Sequence, residues 1–427
     1  MKIILTINAG SSSIKFALYQ FIIKTTLGVQ GKEGVSVVNP TCAPMRRSTT
    51  TCCEDNGLVL YEKEGCRLLY NGSINNLLEA PIFKVRDDKH QSVIEKSLPG
   101  TGHISALEAL VQWIGVNAKG IKISAIGHRV VHGGKSYSQP VIITPEIVTE
   151  LEKLIPLAPL HQPYNVEAIK IMMALFPSAP QIACFDTAFH STGNHLARLY
   201  AMPRKYMEEG IIRYGFHGLS YEYIASMLPE FAGEKADSKV IVAHLGNGSS
   251  MCAMYKRKSV ATTMGFTALE GLVMGTRAGS IDPGIILYLQ QHHKLSVGEV
   301  EHLLYKESGL LGVSGISHDV EVLQKSDSPN AKEALDLFCY RASQELAKLV
   351  SSLQGIDVLV FTAGIGENSI LIRRQICELT AWLGIKIDED ANALHKPQIS
   401  LPTSPVAVYV IPTNEELMIA KYVLNLL

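Results

Sequence analysis

The chain has 427 residues, of which 47% are hydrophobic and 19% are charged, a composition typical of a compact globular protein with more than one domain. The formal net charge of -1 gives no electrostatic reason to expect a nucleic acid or an acidic membrane surface as a partner. No apolar run reaches the roughly 18 residues of a membrane span, and polar residues 8–13 interrupt the first apolar run before it is long enough for a signal peptide. We therefore expect a cytoplasmic protein without nucleic-acid or membrane partners.

The first predicted element is a hairpin at residues 3–19, IILTINAGSSSIKFALY, which reads as strand, tight polar turn and strand. Residues 20–66 follow with poor periodicity and much Thr, Gly, Ser and Cys, so we predict an irregular insertion there. A second strand–turn–strand pattern, AHLGNGSSMCAMY at 243–255, aligns without gaps with residues 7–19 at an offset of 236. That offset divides the chain near its middle, which indicates duplication of a whole domain.

The remaining sequence alternates between strand and helix patterns. A strand is predicted at 358–361, then a Gly-rich loop and a helix from about Ser369. A strand at 406–411 precedes a helix whose cap lies near Thr413 or Asn414. A long amphipathic segment covers 331–353. This alternation predicts an α/β protein.

Three Gly- and Ser-rich loops, 8–13, 246–250 and 363–368, each follow a predicted strand. Small side chains leave backbone N–H groups free to face phosphate oxygens, so three such loops favour a nucleotide site. The site is not a Walker loop, because Arg129 occupies the position of its first glycine in HRVVHGGKS. A Rossmann dinucleotide site is not supported either, since no G-x-G-x-x-G follows a strand.

Basic residues stand beside glycines or prolines in four segments: GHRVVHGGK (127–135), PLHQPYN (159–165), RYGFHG (213–218) and MGTRAGSIDPG (274–284). Arg129 and Arg277 are candidates for holding phosphate or carboxylate, because a guanidinium matches either group with two parallel hydrogen bonds. A zinc site is the alternative for the histidines, but they lack the i,i+4 spacing of H-E-x-x-H. The histidines concerned are His132, His161, His217 and His244.

Two carboxylates complete the candidate site. Asp186 follows an apolar strand in CFDTAFH, and Glu415 begins a predicted helix in TNEEL. Magnesium takes one or two protein carboxylates and fills its other positions with water and phosphate oxygens. Asp186 is therefore a candidate magnesium ligand, with a capping or turn role as the alternative. Nucleotide loops, basic groups and carboxylates together predict phosphoryl transfer, in which catalysis is mostly positioning and electrostatics.

The eight cysteines include no C-x-x-C pair, and we expect reduced thiols, buried at positions 184, 252, 339 and 377. The alternative is a metal cluster, for which the first four cysteines show no recognised ligand spacing. These four are Cys42, Cys52, Cys53 and Cys66.

A set of longer motifs resembles the acetate kinases, the acetate and propionate kinase family. The motifs occur in the family's order and cover residues 1–19 and nearly all of 121–427: NAGSSSIK, GHRVVHGG, LAPLHQPYN, FDTAFH, RYGFHG, HLGNGSS, MGFTALEGLVMGTRAG, FTAGIGENS and IPTNEEL. The resemblance implies a duplicated actin-like fold of the sugar kinase/heat-shock-protein/actin class, with the active site in the cleft between the halves. We expect an N-terminal domain at 1–190 plus 417–427 and a C-terminal nucleotide-binding domain at 191–416.

The resemblance also implies roles for individual residues. The implied catalytic residues are Asp186, Arg129, Arg277, His217 and His161. The acyl group is expected against Arg129, Val131, Leu160, Phe216 and Ala268. The phosphates and nucleotide are expected at Asn8, Ser11, Ser13, Lys15, His244, Leu245, Gly246, Asn247, Gly248, Asp319, Gly364, Ile365, Gly366, Glu367 and Asn368. The implied metal ligands are Asn8, Glu415 and Asp186.

The implied reaction is reversible, direct in-line transfer from ATP to acetate, which gives acetyl phosphate and ADP in a homodimer. The implied metal is Mg²⁺, with Mn²⁺ as the alternative. Ala268 replaces a proline of the family's acyl pocket, which predicts a larger pocket and better use of propionate. Val320 and Glu321 replace an aromatic or Met residue and an Arg, which leaves nucleotide selectivity open. The alternatives are a propionate, butyrate or other short-chain acid kinase, another phosphoryl donor, or a non-catalytic nucleotide-binding relative.

Overall fold

The computed structural model of the chain describes residues 2–31, 34–37, 50–52, 58–117 and 122–427. The strands are β1 (Ile3–Ala9), β2 (Ser13–Gly31), β3 (Gly34–Val37), β4 (Thr50–Cys52), β5 (Leu58–Asn75), β6 (Ile82–Asp87), β7 (Ser92–Ser97), β8 (Ile123–Val130), β9 (Val141–Ile142), β10 (Gln181–Phe185), β11 (Lys239–His244), β12 (Ser250–Tyr255), β13 (Lys258–Thr262), β14 (Val358–Thr362) and β15 (Ala407–Val410).

The helices are α1 (Gly102–Asn117), α2 (Pro145–Lys153), α3 (Gln162–Leu175), α4 (Arg204–Glu209), α5 (Gly218–Ala232), α6 (Pro283–His292), α7 (Val297–Lys306), α8 (Gly309–Ser314), α9 (Val320–Gln324), α10 (Pro329–Leu353), α11 (Ala363–Asn368), α12 (Ile370–Leu379), α13 (Glu389–Ala393) and α14 (Glu415–Leu426). In the part of the chain that the structure describes, none of these helices has the length and hydropathy to span a membrane.

Two compact units divide the chain. The first contains Met1–His132, Gln139–Phe185 and Glu415–Leu427, and the second contains Gly133–Ser138 and Asp186–Asn414. The sequence-based boundaries, 190/191 and 416/417, stay a prediction; these units change at 185/186 and 414/415, and residues 133–138 group with the second unit. The last helix, α14, thus belongs to the first unit, although it follows the whole of the second unit along the chain.

The first unit is built on a mixed sheet in the order β7-β6-β5-β2-β1-β8-β10-β9, with β3 beside β2 and β4 beside β5. Its central strands carry almost only buried residues, as strands covered on both faces do. Helix α14 lies directly against β8. The contact is so close that a Cβ placed on Gly127 would be 2.4 Å from the Ile419 side chain. Glycine at position 127 therefore permits the close packing of this last helix on the sheet.

The second unit is built on a five-stranded sheet in the order β13-β12-β11-β14-β15. Helix α10 contributes a buried stripe that includes Leu335, Phe338, Ala342 and Leu346, at the spacing of one helix face. These side chains join the apolar cluster that also contains residues of β11 and β14. The amphipathic pattern predicted for 331–353 is confirmed as this helix.

The two sheets share one strand order. In the first unit β5-β2-β1-β8-β10 pair antiparallel, antiparallel, parallel and parallel in turn. In the second unit β13-β12-β11-β14-β15 pair in the same sequence of directions. The hairpin predicted from residues 3–19 and its repeat at 243–255 occupy corresponding places in the two sheets. The predicted α/β class and the duplicated actin-like fold are therefore confirmed.

One prediction is wrong in part. Residues 20–66 were expected to be irregular, but β2 continues to Gly31 and pairs with β5, which begins at Leu58. Alternation is weak in both strands, so their sequences gave no periodic signal. The remainder of the segment, apart from β3 and β4, lies outside the described residues. The loop predicted at 363–368 is helical, since α11 occupies all of it.

Candidate active site

The first predicted phosphate loop is the turn between β1 and β2. The Gly10 N–H donates to the Ser13 carbonyl at 2.8 Å, and Asn8 lies opposite Lys15 in the ladder. Asn8, Ser11 and Ser13 are half-buried, whereas Lys15 is exposed. The hairpin therefore presents an amide, hydroxyl groups and one cation at the end of two strands.

Arg129 lies at the end of β8, the parallel neighbour of β1. Its Nη1 is 3.2 Å from Asn8 Oδ1 and 3.5 Å from Glu415 Oε2. Burial, together with the charge of Glu415, raises the pKa of the neighbouring Glu416, while Lys15 and Arg129 partly offset that rise. Three predicted site residues from distant parts of the sequence thus meet in the first unit: Asn8, Arg129 and Glu415.

Helix α3 holds the segment that follows β8. The Asn165 side chain accepts from the Val131 N–H at 2.9 Å and donates to the Ala9 carbonyl at 2.7 Å, so it ties this segment to the first hairpin. Val131 is buried, while Leu160 and His161, which precede α3, are half-buried. Of the predicted acyl-binding residues, the first unit contains Arg129, Val131 and Leu160.

In the second unit, Asp186 fixes the start of α5. Asp186 is 1% exposed, and its carbonyl accepts from the Gly218 N–H at 2.9 Å. A Cβ on Gly218 would lie 2.1 Å from that oxygen, so only glycine fits there. The preceding His217 has a φ of 59°, in the left-handed region that non-glycine residues rarely adopt. Such strain is concentrated at functional sites, which supports a role for His217.

His217 and Arg277 both approach the second predicted phosphate loop. A Cβ placed on Gly248 would be 3.3 Å from His217 Nε2 and 3.8 Å from Arg277 Nη1. The ring of His217 stacks on that of His244 with 4.1 Å between centroids. Because Gly248 has no side chain, both nitrogens can face an anion held by the backbone of this loop.

Arg277 is held beside Ala268, whose carbonyl accepts from Nη1 at 3.0 Å. Glu270, two residues further on, forms an ion pair with Arg213 at 2.6 Å and accepts from the Tyr200 hydroxyl at 2.6 Å. This network fixes the segment that carries Ala268 and, through its carbonyl, the Arg277 guanidinium. Phe216, the other acyl-binding residue predicted in this unit, is buried.

A cavity of about 440 Å³ in the second unit brings together six of the residues predicted to bind the nucleotide. It is lined by Gly246, Asn247, His318, Asp319, Val320, Glu321, Gln324, Gly364, Ile365, Asn368 and Ser369. This volume lies in the range of small-molecule and cofactor sites. The two residues that depart from the family pattern, Val320 and Glu321, belong to its wall.

Three other residues predicted to bind nucleotide do not line this wall, and they form hydrogen bonds within the loops that do. The Leu245 carbonyl accepts from the Ile365 and Gly366 N–H groups at 2.8 and 3.1 Å. Glu367 accepts from the backbone N–H groups of Ala363 and Thr413 at 2.9 and 3.1 Å. Leu245, Gly366 and Glu367 therefore hold the loops in place.

Arg373 was not among the predicted site residues, yet its side chain is fully buried, with 0% exposed. Its guanidinium donates to the carbonyls of Gly366 and Glu367 at 3.0 and 2.8 Å and to Asn392 Oδ1 at 2.8 Å. Arg373 thus stabilises the C-terminal end of α11 through hydrogen bonds from the buried side of the helix. A signal was present, since Arg373 lies at helical spacing among the buried Ile372, Ile376 and Cys377 of α12.

The cysteine predictions divide into two sets. Cys184, Cys252, Cys339 and Cys377 are buried free thiols, as predicted. Among the described residues, no group of three or more His, Cys, Asp or Glu side chains has the arrangement of a metal site. The alternative cluster falls largely outside them, because Cys42 and Cys53 are not described.

Comparison with known proteins agrees with this geometry. The model of the acetokinase family matches residues 58–421. An acetate kinase of Rhodopseudomonas palustris is 47% identical over 428 residues, which cover 99% of this chain and 98% of that protein. A propionate kinase from Francisella tularensis is 35% identical with a TM-score of 0.83, over 99% of both chains. The acetate kinase of Porphyromonas gingivalis is 32% identical with a TM-score of 0.79, over 100% of this chain and 99% of that one. The chain belongs to the acetokinase family.

Proposed function

We propose that the chain is an acetate kinase, which transfers the γ-phosphoryl group of ATP reversibly to acetate and forms acetyl phosphate and ADP. The observation that carries this proposal is the approach of His217 Nε2 and Arg277 Nη1 to Gly248, in a loop whose neighbours line a nucleotide-sized cavity. Two cationic or polar donors beside a glycine-rich loop suit a phosphoryl group with negative charge on three equatorial oxygens.

The acceptor needs no general base. A carboxylic acid with an ordinary pKa near 4 to 5 is ionised at neutral pH, so the carboxylate oxygen is already a nucleophile. The obstacle is repulsion between two anions, the acyl carboxylate and the phosphate chain. Arg277 and Arg129 oppose this repulsion, and we propose that the two units act together in supplying them. Transfer is in line, with the new O–P bond forming as the bond to the ADP oxygen breaks.

The remaining polar groups have narrower roles in this proposal. His217 donates to the phosphoryl oxygens, and His161 assists at the acyl side. Asp186 and its neighbours position the start of α5, where the Asp186 carbonyl holds Gly218. Asn8, Ser11, Ser13 and Lys15 contact phosphate oxygens from the first hairpin, as a loop of small residues and one cation can do.

The acidic and amide oxygens of the first unit fit a magnesium ion. Glu415 and Asn8 both lie with an oxygen within 3.5 Å of Arg129 Nη1, and Mg²⁺ prefers such carboxylate and carbonyl oxygens. We propose Glu415, Asn8 and Asp186 as its ligands, directly or through water, with Mn²⁺ as a substitute. When bound, the ion supplies positive charge to the phosphate oxygens.

Acetate is the proposed main acceptor, with propionate as a close second. Ala268 has a smaller side chain than proline, so the site has room for one more methylene. One methylene in an apolar pocket changes discrimination by only about 1–3 kcal/mol. The similarity to a propionate kinase favours this second substrate. ATP is the proposed donor, although Glu321 in the cavity wall makes other nucleoside triphosphates worth testing.

We also propose a homodimer in the cytoplasm, where ATP and short-chain acids are available. Helix α6 contains no buried residue, and Ile285, Leu287 and Tyr288 are each about half exposed at 46%, 55% and 53%. Contiguous exposed apolar side chains on a helix are typical of a surface that is covered in an oligomer.

The test is acyl phosphate formation, trapped with hydroxylamine, from Mg-ATP with acetate, propionate or butyrate in parallel. Hydroxamate from acetate, with a kcat/KM at least equal to that for propionate, supports the proposal. Product mainly from propionate or butyrate would move the assignment to that acid. Product only with another phosphoryl donor would overturn ATP as the substrate. Folded protein that gives no product with any donor would indicate a non-catalytic nucleotide-binding relative.

A further inference from the structure

Behind His217, hydrogen bonds run into the core of the second unit. Nδ1 of His217 lies 2.8 Å from Oγ of Ser250, and that Oγ lies 2.5 Å from the hydroxyl oxygen of Tyr221. Ser250 begins β12, Tyr221 lies in the first turn of α5, and both are 0% exposed. Tyr221 belongs to an apolar cluster with residues of β11, β14 and β15. A continuous chain of three polar groups therefore links a dry core to the ring of His217.

Burial determines which group donates in the bond between Tyr221 and Ser250. Among the described residues, Ser250 is the hydrogen-bond partner of the Tyr221 hydroxyl. Burial raises the pKa of Tyr221 well above its usual value, so the phenol keeps its hydrogen. A buried O–H with one polar neighbour donates to that neighbour, because a buried donor without an acceptor is unfavourable. Tyr221 is therefore the donor and Ser250 the acceptor.

The direction of the Tyr221–Ser250 hydrogen bond determines the direction of the bond between Ser250 and His217. Since the Ser250 oxygen accepts from Tyr221, its own hydrogen points to its other neighbour, Nδ1 of His217. A ring nitrogen that accepts a hydrogen bond carries no hydrogen, so the hydrogen of the neutral imidazole is on Nε2. Nε2 is the nitrogen that approaches Gly248 in the phosphate loop.

We propose that Tyr221 and Ser250 are positioning residues, which hold His217 as the Nε2–H tautomer and direct that hydrogen toward the phosphoryl group during transfer. This inference rests on the proposed function of the site. The left-handed backbone of His217 fixes the ring at one end, and the Ser250 hydroxyl fixes it at the other. A donor oriented in advance needs no reorganisation when charge develops on the phosphoryl oxygens.

The kinetic test uses four variants. Tyr221→Phe and Ser250→Ala each break the chain of hydrogen bonds, whereas Ser250→Thr keeps the hydroxyl. Tyr409→Phe is the matched control, because it removes a buried phenol from the same apolar cluster on β15, the edge strand that β11 and β14 separate from β12. We expect kcat to fall about fivefold in Tyr221→Phe and about tenfold in Ser250→Ala, with both KM values unchanged and with recovery in Ser250→Thr. Tyr409→Phe should keep the wild-type kcat.

A spectroscopic test reads the tautomer without relying on activity. The chain has 14 histidines, so the His217 signals are assigned by their loss in a ¹⁵N-histidine spectrum of His217→Gln. In the wild type, Nδ1 should give the signal of a nitrogen without hydrogen and Nε2 that of a nitrogen with one. In Ser250→Ala the two signals should move toward each other as the second tautomer becomes populated. Tyr221→Phe should show a smaller shift in the same direction.

The outcomes separate this inference from the proposed function. A wild-type spectrum with the hydrogen on Nδ1, or an unchanged spectrum in Ser250→Ala, would overturn the inference even if acetyl phosphate is formed. Loss of activity in Tyr409→Phe equal to that in Tyr221→Phe would do the same. If Ser250→Ala does not fold, the spectrum of Tyr221→Phe decides: His217 signals identical to those of the wild type would overturn the inference. If the wild type forms no acyl phosphate, the proposed function fails, while the spectra still decide the tautomer.

Discussion

The hairpins β1–β2 and β11–β12 occupy the same place in two sheets of the same strand order, yet they carry different chemistry. The first presents Asn8 and Lys15 near Arg129 and Glu415, a cluster of charges suited to phosphates and a cation. The second has glycines at the corresponding turn, approached by His217 and Arg277. The shared sheet fixes where a loop lies, and the loop residues decide what it binds, so duplicated units can take different parts in one reaction.

The two arginines provide the strongest test of this division. Arg129→Ala in the first unit or Arg277→Ala in the second should lower kcat roughly 10³-fold or more, the scale of an arginine that neutralises transferring phosphate. The measurement is steady-state acyl phosphate formation, with Arg67→Ala as a control on the exposed surface of the first unit. Activity within tenfold of the wild type in either variant would show that the substituted arginine does not have the proposed role in transfer.

Low pH should lower the stability of the second unit, because His190 is held without its second proton in the folded state. Its ring is buried between Ser259 and the Phe216 carbonyl, and burial lowers its pKa to about 4 from 6.5. The unfolded chain thus binds the proton more readily, so stability falls as the pH drops from 6.5 toward 4, by about 2 kcal/mol at pH 5. Hydrogen exchange of β11 and β14 at pH 7 and pH 5, corrected for intrinsic rates, measures this loss.

The matched variant for that experiment is His190→Gln, which should lower stability at both pH values but reduce the difference between them. In the first unit His128 and His132, whose pKa values burial also lowers to about 4, act in the same direction. The raised pKa of Glu416 opposes them there. An undiminished pH difference in His190→Gln would show that another group controls the acid response of the second unit.

The residues proposed to bind the acyl group also come from both units: Arg129, Val131 and Leu160 from the first, and Phe216 and Ala268 from the second. Ala268→Pro should lower kcat/KM for propionate relative to acetate by about tenfold, since the ring takes the space of a methylene. The hydroxamate assay with both acids gives this ratio. Ala268→Gly is the control, which should leave the ratio equal or favour propionate. If Ala268→Pro leaves the ratio of kcat/KM for propionate to that for acetate unchanged, the acyl chain does not lie against residue 268.

The smallest effect on catalysis is expected from the surface of the second unit. Leu287→Glu on α6 should convert the proposed dimer to monomers, because it introduces a charge into an exposed apolar face. Its kcat should stay within about twofold, since the Leu287 side chain is exposed and takes no part in the contacts described for the site. Light scattering gives the mass of the particle. An unchanged dimer would show that another surface forms the contact.

Much of this molecule follows from its sequence, and the exceptions have physical causes. The paired hairpins and the buried face of α10 were predictable, because strand alternation, small turn residues and helical spacing are local signals. The extension of β2 to Gly31 was not, since its pairing with β5 depends on residues about 40 positions away. The contacts of Leu245, Gly366 and Glu367 within their loops were not predictable either, because a motif does not show which of its residues hold the loop in place.

Arg373 and Tyr221 show a second limit. Each is a buried polar residue whose importance depends on partners in other elements, namely the end of α11 for Arg373 and Ser250 of β12 for Tyr221. Helical spacing alone indicated that Arg373 faces the core, but only the fold showed which carbonyls it meets. Such residues become identifiable when buried donors are matched to their acceptors.

We propose above that this chain couples ATP cleavage to phosphorylation of acetate. The most direct measurement is ³¹P NMR of the purified chain with Mg-ATP and acetate, beside Arg277→Ala as the matched sample. Acetyl phosphate and ADP should appear together in equal amounts, and neither should accumulate with the variant. Release of ADP with inorganic phosphate alone, or no turnover by folded wild-type protein, would contradict it.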